Sequence, residues 1–151
     1  MSRRVSDYFS LVKFSHTVFA LPFALIGFFL ALHFNAVTFR WILLIKVLLC
    51  MVLARTAAMA FNRYADRNID AQNKRTAVRE IPSGIISAKA ALAISIFSSV
   101  LFITVCYFIN PLCFYLSPVA LLVTLGYSFT KRFTSLSHFI LGLGLSLAPT
   151  G

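Results

Sequence analysis

The sequence predicts an all-α integral membrane protein, a transmembrane helical bundle with five apolar segments. Of its 151 residues, 60% are hydrophobic and 12% are charged, and the mean hydropathy is +0.88. Both fractions differ strongly from those of soluble domains. Fourteen Lys and Arg against four Asp and Glu give a formal net charge of +10. In so apolar a chain this excess is expected at loops that face anionic lipid, so we expect a lipid bilayer and no nucleic acid as partner.

The first two apolar segments are predicted over about residues 15–34 and 41–61. Residues 14–39 contain no Lys, Arg, Asp or Glu, which is enough for one helix across a hydrocarbon core that needs roughly 20 residues. The second segment has Lys46 near one end and Arg55 deep inside. A buried arginine in such a helix is costly unless it faces a polar cavity.

The next stretch is too long to be a single crossing. Residues 90–130 contain no Asp, Glu, Lys or Arg, and as one helix they would extend roughly 60 Å, twice the bilayer core. Asn110-Pro111 is the predicted break, because proline lacks a backbone donor and disfavours helix in the residue before it. The predicted segments are therefore 90–109 and 112–130, and a fifth covers 134–151.

The basic residues predict the orientation. They form three clusters, within residues 3–13, 63–89 and 131–132. With four crossings before Lys131, all three clusters fall on one side of the membrane, which the positive-inside rule makes cytoplasmic. The charged stretch from Asn62 to Lys89 is then a cytoplasmic loop.

The three cysteines, Cys50, Cys106 and Cys113, occur singly in apolar stretches without a CxxC pair. They are predicted to be small packing residues and neither disulfide partners nor metal ligands.

The stretch "FNRYADRNIDAQNKRTAVREIPSG", residues 61–84, contains three of the four acidic residues. Asn62, Asp66 and Asp70 are spaced by four, so on a helix their oxygens lie along one side and can converge on one cation. Hard oxygen ligands suit Mg²⁺, which binds through one or two carboxylates plus substrate phosphates. Nearby cations could hold the remaining oxygens of a phosphorylated ligand; they are Arg63, Arg67, Lys74 and Arg75.

A simpler interpretation is that Asp66 and Asp70 only offset neighbouring arginines in a solvated loop. The position of Arg55 argues against it, because Arg55 lies two helical turns before Asn62 on the same side. A polar stripe would then run from inside the membrane to its surface. Such a stripe suits a ligand with a charged head group and an apolar tail.

Three motifs together resemble the UbiA superfamily of membrane-embedded aromatic prenyltransferases. "NRYADRNID" matches the family's NxxxDxxxD motif, "KFSHTVFALPFALIG" is similar to the start of the first helix, and "LGYSFTKRFT" is similar to the element with a YxxxK motif. The motifs occur in the family's order and cover nearly the whole chain. The "REIPSG" ending resembles the branch that handles quinone precursors in bacteria.

This resemblance implies a bundle of about nine spans around a cavity, with two Asp-rich motifs that bind Mg²⁺ and the diphosphate of an isoprenoid donor. The implied reaction transfers a polyprenyl group from a polyprenyl diphosphate to an aromatic acid, 4-hydroxybenzoate or a related naphthoate, in ubiquinone or menaquinone biosynthesis. The implied location is the bacterial inner membrane.

The resemblance also assigns residues. The metal ligands would be Asn62, Asp66 and Asp70. The catalytic set would be Asp66, Asp70, Tyr127 and Lys131. The substrate-binding set would be Arg55, Asn62, Arg63, Arg67, Lys74, Arg79 and Arg132, although Arg79 could equally be a plain positive-inside residue.

The sequence departs from the family pattern in length. It has five apolar segments instead of about nine, and no second Asp-rich motif follows Arg132. Residues 1–151 are therefore expected to be the N-terminal half of a prenyltransferase domain, inactive alone, that needs a C-terminal half with the second motif. Truncation, a split gene or a fragment would each explain this. The alternative class is a non-catalytic membrane module, such as a transporter half or a structural remnant.

Overall fold

The computed structural model describes residues 7, 10–11, 14–35 and 38–130, and its regular structure in these ranges is entirely helical. Four long helices follow one another: α1 Phe14–Asn35, α2 Trp41–Gln72, α3 Ala88–Tyr107 and α4 Pro111–Thr130. The predicted all-α class is confirmed. The predicted fifth segment, 134–151, lies outside the described residues, as do Lys131 and Arg132.

Helix α2 is longer than the apolar segment predicted for it. The prediction ended at Phe61, where hydropathy falls, but the helix continues without a break to Gln72. No Gly or Pro occurs between Trp41 and Gln72, so nothing in the backbone stops the helix when the side chains become polar. The charged stretch predicted as a loop from Asn62 therefore begins as helix, and the connection to α3 is shorter, residues 73–87.

Helices α3 and α4 form a hairpin around the predicted break. α3 ends at Tyr107 and Pro111 is the first residue of α4, where a missing backbone N–H costs nothing. The Asn110 side-chain oxygen accepts a hydrogen bond from the Cys113 backbone N–H at 2.7 Å, as an N-cap residue does. Residues 108–110 thus turn the chain back tightly.

Helices α2 and α3 pack closely through small residues. Ala57, Ala60 and Ala91 have no exposed surface, and small side chains allow two helix backbones to approach each other. The Ser95 hydroxyl donates to the Ala57 carbonyl across this contact at 3.0 Å. Further along, the Cys50 and Cys106 sulfurs are 3.8 Å apart. These pairs show that the two helices are antiparallel.

The outward faces of the helices are apolar, as membrane spans require. Within the described residues, α2, α3 and the part of α4 over Pro111–Ser128 are long and apolar enough to cross a membrane, whereas the apolar part of α1, Ala20–Phe34, is shorter. Many large side chains such as Phe97 and Leu122 are exposed on these helices. Since α2 and α4 are parallel, their C-terminal ends lie at the same end of the bundle.

The close α2–α3 contact makes Ser95 sensitive to size. Ser95→Leu is expected to destabilise the protein by about 1–3 kcal/mol through overpacking, whereas Ser95→Ala should lose only the interhelical hydrogen bond, about 0.6 kcal/mol. Unfolding in mixed detergent micelles, followed by circular dichroism, measures both. Ile96→Leu, on the exposed face of the same helix, is the control. Equal stability of the Leu and Ala variants at position 95 would contradict the tight contact.

Candidate metal and diphosphate site

The acidic motif lies on the last three turns of α2, with Asn62, Asp66 and Asp70 on the one continuous helix. Asp66 is 8% exposed and Asp70 is 6% exposed. Carboxylates in a solvated loop would be far more accessible, so the solvated loop of the simpler interpretation does not describe these two residues. Their burial instead requires compensating cations or hydrogen bonds nearby.

Arg79, in the loop after α2, compensates Asp70. Its Nη1 atom lies 2.8 Å from both carboxylate oxygens of Asp70. The Thr76 hydroxyl also donates to the Asp70 backbone carbonyl at 3.0 Å, so the end of α2 and the loop are joined at the same residue. This contact joins the loop to the motif, and the substrate-binding role of Arg79 stays a prediction.

A second charged pair lies two helical turns earlier. An Nη atom of Arg63 is 3.9 Å from Oε2 of Glu80, and both side chains are about nine-tenths buried. The Ser10 hydroxyl donates to the other carboxylate oxygen, Oε1. Sequence reasoning missed Glu80 and Ser10. Two features of the sequence could have pointed to Glu80: it directly follows Arg79, and it is one of only four acidic residues in the chain.

The loop that supplies Arg79 and Glu80 is held by apolar contacts as well. Ile86 is 4% exposed and belongs to a buried cluster with Leu11, Ala60 and Ala91. Gly84 has a φ of +77°, a left-handed conformation that glycine adopts without strain. The turn at Gly84 brings Ile86 down onto α2 and α3, so the loop is folded onto the bundle.

Arg55 lies inside the bundle, half-buried on α2. Its Nε is buried and has no hydrogen-bond partner among the residues that the structure describes. Because Arg55 lies about two turns before Asn62, it extends the polar side of α2 away from the acidic motif. A buried guanidinium nitrogen without a partner among the described residues suits an anionic group on a bound molecule.

Three further predicted site residues, Arg67, Lys74 and Tyr127, lie among the described residues. The Arg67 guanidinium lies over the Tyr64 ring at 4.4 Å and donates to the Tyr64 carbonyl at 2.7 Å. Lys74 and Arg75 are exposed at the start of the loop. Tyr127 is half-buried near the end of α4, at the same end of the bundle as the motif.

The donor set of this site fits a hard divalent cation that is completed by phosphate. Two buried carboxylates and one amide lie on one helix, and Mg²⁺ commonly needs only one or two carboxylates when a phosphorylated ligand supplies further oxygens. Within the described ranges, no group of three or more His, Cys, Asp or Glu side chains could hold a metal by itself. The site thus suits a metal–phosphate complex better than a metal alone.

These features define a class: a helical membrane protein with a buried acidic face and cations at one end of its bundle. The sequence matches the UbiA prenyltransferase family over residues 20–151. The chain therefore belongs to the UbiA prenyltransferase family.

Relatives and a solved structure agree with this assignment. The chain is 41% identical over 109 residues to a 4-hydroxybenzoate octaprenyltransferase of Aliivibrio salmonicida, covering 72% of this chain and 38% of the relative. It is 38% identical over 103 residues to the enzyme so named in Vibrio cholerae. An apo structure of a UbiA homologue from Aeropyrum pernix superposes with a TM-score of 0.73 at 30% identity, covering 99% of this chain and 49% of that chain. The chain thus spans well under half the length of the curated relatives.

The Arg79–Asp70 pair should control how firmly the loop is held. Arg79→Gln leaves a buried carboxylate with weaker partners, which is expected to cost about 1–3 kcal/mol. Opening of the loop should become easier by a similar amount, and the exchange of its amide hydrogens faster by roughly tenfold or more. The amides of Ser83 and Ile86, which donate within the loop, are suitable reporters in hydrogen-exchange mass spectrometry.

Lys89→Gln is the matched control for this experiment, because it removes one exposed cation near the same loop. If Arg79→Gln and Lys89→Gln exchange at the same rate as the unsubstituted chain, the pair does not hold the loop.

Proposed function

We propose that the chain supplies the donor-binding half of an aromatic prenyltransferase site. The complete enzyme would transfer a polyprenyl group from an allylic polyprenyl diphosphate to 4-hydroxybenzoate or a related naphthoate, as a step toward ubiquinone or menaquinone. The observation that carries the proposal is the buried face of α2, where Asp66 and Asp70 lie between Arg63 and Arg79. The names of the relatives support the substrate class.

The chemistry assigned to this face is departure of pyrophosphate. The carbon–oxygen bond of the allylic diphosphate breaks, the aromatic ring forms a carbon–carbon bond to the resulting allylic cation, and the ring then loses a proton. Bound Mg²⁺ would neutralise the charge that develops on the departing group. Asn62, Asp66 and Asp70 would hold the metal together with oxygens of the diphosphate.

The cations of the chain would bind and orient the substrates. Arg63 and Arg79 flank the acidic face and can donate to diphosphate oxygens, which requires Arg79 to share its hydrogen bonds with Asp70. Arg67, Lys74, Tyr127, Lys131 and Arg132 complete the proposed set around the diphosphate. Arg55, deeper in the bundle, is placed to bind an acidic group of a substrate. The apolar helices would exclude water from the reactive cation.

The proposed orientation puts the 73–87 loop in the cytoplasm and the chain in the bacterial inner membrane. It rests on the basic residues at this end of the bundle and on the positive-inside rule. A transporter half is less well supported. Ion-coupling carboxylates are expected near the bilayer midplane, whereas Asp66 and Asp70 lie in the last turns of α2.

Substitution of the two carboxylates tests the proposed role directly. Asp66→Asn and Asp70→Asn are each expected to abolish transfer by the complete reading frame, because the amide no longer neutralises the metal. Insertion should be unchanged, since Asp contributes little to topology. The measurement is transfer of radiolabel from an allylic diphosphate to 4-hydroxybenzoate or a dihydroxynaphthoate in membranes. Asp7→Asn, which removes a carboxylate outside the motif, is the matched control.

Full activity of both variants, or loss of membrane insertion in place of turnover, would contradict the catalytic role. The absence of any Mg²⁺-dependent product from the unsubstituted reading frame with every quinone-type acceptor would contradict the enzyme proposal as a whole.

Arg55 is tested by two replacements. Arg55→Ala should weaken use of a substrate with an acidic group, seen as a raised KM, because a buried donor is lost. Arg55→Leu should do the same while filling the space. Full activity of the Leu variant would show that Arg55 is outside the site.

The chain alone is expected to bind an isoprenoid diphosphate weakly and to transfer nothing. Much of such catalysis depends on the positions of the reacting groups, and displacing them by about 1 Å can lower the rate about a hundredfold. Addition of a C-terminal half with the second Asp-rich motif, in the same chain or as a second one, should restore turnover. Transfer by purified residues 1–151 unaided would contradict this expectation.

A further inference from the structure

Two consecutive loop residues of opposite charge bind two α2 residues of opposite charge. Arg79 pairs with Asp70 at 2.8 Å, and Glu80 lies 3.9 Å from Arg63. Arg63 and Asp70 are seven residues apart, about two turns or 10 Å along one side of α2. The loop therefore crosses the acidic face with one side chain reaching toward each end of it.

Asp66 lies between these two contacts on α2. It is three residues after Arg63 and four before Asp70, and it is almost fully buried. The loop consequently frames the central carboxylate of the motif. The position of Arg79 and the orientation of the Arg63 side chain, on either side of Asp66, depend on where the loop lies along α2.

The pairing pattern allows only one position of the loop. A displacement by one residue would bring Arg79 toward Arg63, or Glu80 toward Asp70. Like charges brought together at the largely buried Arg63 or Asp70 side chain would repel each other with little water to screen them. The positive and negative residues of the loop thus each face an α2 residue of opposite charge.

Glu80 contacts two other segments of the chain, α2 and the residues before α1. It is 9% exposed, and its Oε2 is buried with no hydrogen-bond partner in the described part of the chain. Its Oε1 accepts from Ser10, which brings the segment before α1 onto the loop. Its backbone carbonyl accepts from the Ile86 N–H at 2.9 Å. A buried carboxylate of this kind is costly, and its neighbours Arg63 and Ser10 offset that cost.

We propose that Glu80 is a positioning residue, which sets the register of the 73–87 loop on α2 and so holds Arg63 and Arg79 on either side of Asp66 for an anionic diphosphate group. Glu80 itself touches neither metal nor substrate. Its carboxylate orients the Arg63 guanidinium, and its fixed backbone places the adjacent Arg79 opposite Asp70. The ligand in this statement rests on the proposed function, whereas the register rests on the contacts alone.

The test compares Glu80→Gln and Glu80→Asp with Asp7→Asn in the complete reading frame, reconstituted in nanodiscs. Gln keeps the shape and a hydrogen-bond acceptor but loses the charge, and Asp keeps the charge on a shorter side chain. Asp7→Asn removes one carboxylate, as Glu80→Gln does, from a residue that is not part of the loop or of α2. Two quantities are measured: amide hydrogen exchange of residues 73–87, and the Kd of farnesyl thiodiphosphate with Mg²⁺.

The expected result for Glu80→Gln is at least tenfold faster exchange in the loop and at least tenfold weaker binding of the probe. Glu80→Asp should recover part of both, and Asp7→Asn should change neither. Arg63→Gln should speed exchange as Glu80→Gln does, and the double variant should exchange no faster than the faster single variant, because both substitutions break the same contact.

Each departure from this pattern is decisive. Parental exchange in Glu80→Gln would show that Glu80 does not set the register. If Glu80→Gln speeds amide exchange in the loop but leaves the Kd of the probe unchanged, Glu80 only stabilises the loop and the positioning role is wrong. Additive effects of Arg63→Gln and Glu80→Gln would show that the two side chains act separately. Failure of the unsubstituted chain to bind the probe would overturn the diphosphate ligand, and hence the proposed function, while the exchange data would still decide the register.

Discussion

Buried carboxylates at the end of an apolar helix require cations close by, and the folding of the α2–α3 loop follows from that requirement. Asp66 and Asp70 lie on a helix that is otherwise suited to lipid, and removing one partner of a buried charge is far more costly than keeping the pair. Arg79 meets this requirement for Asp70 from the loop, and Arg63, on the helix itself, interacts electrostatically with both carboxylates. The loop is accordingly packed onto α2 and α3 through its residue Ile86.

The same requirement links the membrane-embedded part of the chain to the site. Because α2 continues from the apolar segment into the motif without a break, its packing against α3 fixes the direction in which the motif faces. The Ser95–Ala57 hydrogen bond and the small residues around it lie roughly two to three turns from Asp66. Stability of the bundle and geometry of the site therefore share one rigid element, and the deeper Arg55 lies on it too.

Much of this arrangement could be predicted from the sequence. Composition and the charge-free stretch from 90 to 130 indicate membrane helices, and Pro111 marks the hairpin because its ring and missing donor restrict the backbone locally. Spacing by four places Asn62, Asp66 and Asp70 on one side of a helix. The end of α2 was predicted too early because hydropathy reports the surroundings of side chains, whereas helix continuity depends on the backbone.

The contacts of Glu80 could not be predicted, because they join Ser10, Arg63 and Glu80 across up to 70 positions of sequence. No local pattern encodes such a meeting. The contact between the Cys50 and Cys106 sulfurs is of the same kind: each cysteine is isolated in the sequence, and only the antiparallel packing of α2 and α3 brings the two together.

The short turn at residues 108–110 carries no charged side chain, which matters for the entry of α3 and α4 into the bilayer during synthesis. The two helices together, with their turn, contain no Asp, Glu, Lys or Arg apart from Lys89 in the first turn of α3. If the hairpin inserts as one unit, its tip can cross the hydrocarbon without transferring a formal charge, and the principal polar groups of the tip are the backbone and Asn110. The Asn110 side-chain oxygen accepts a hydrogen bond from the Cys113 backbone N–H. This bond satisfies one of those backbone groups while the tip is within the hydrocarbon. Asn110, which caps the start of α4, thereby lowers the free-energy cost of moving the α3–α4 hairpin across the bilayer.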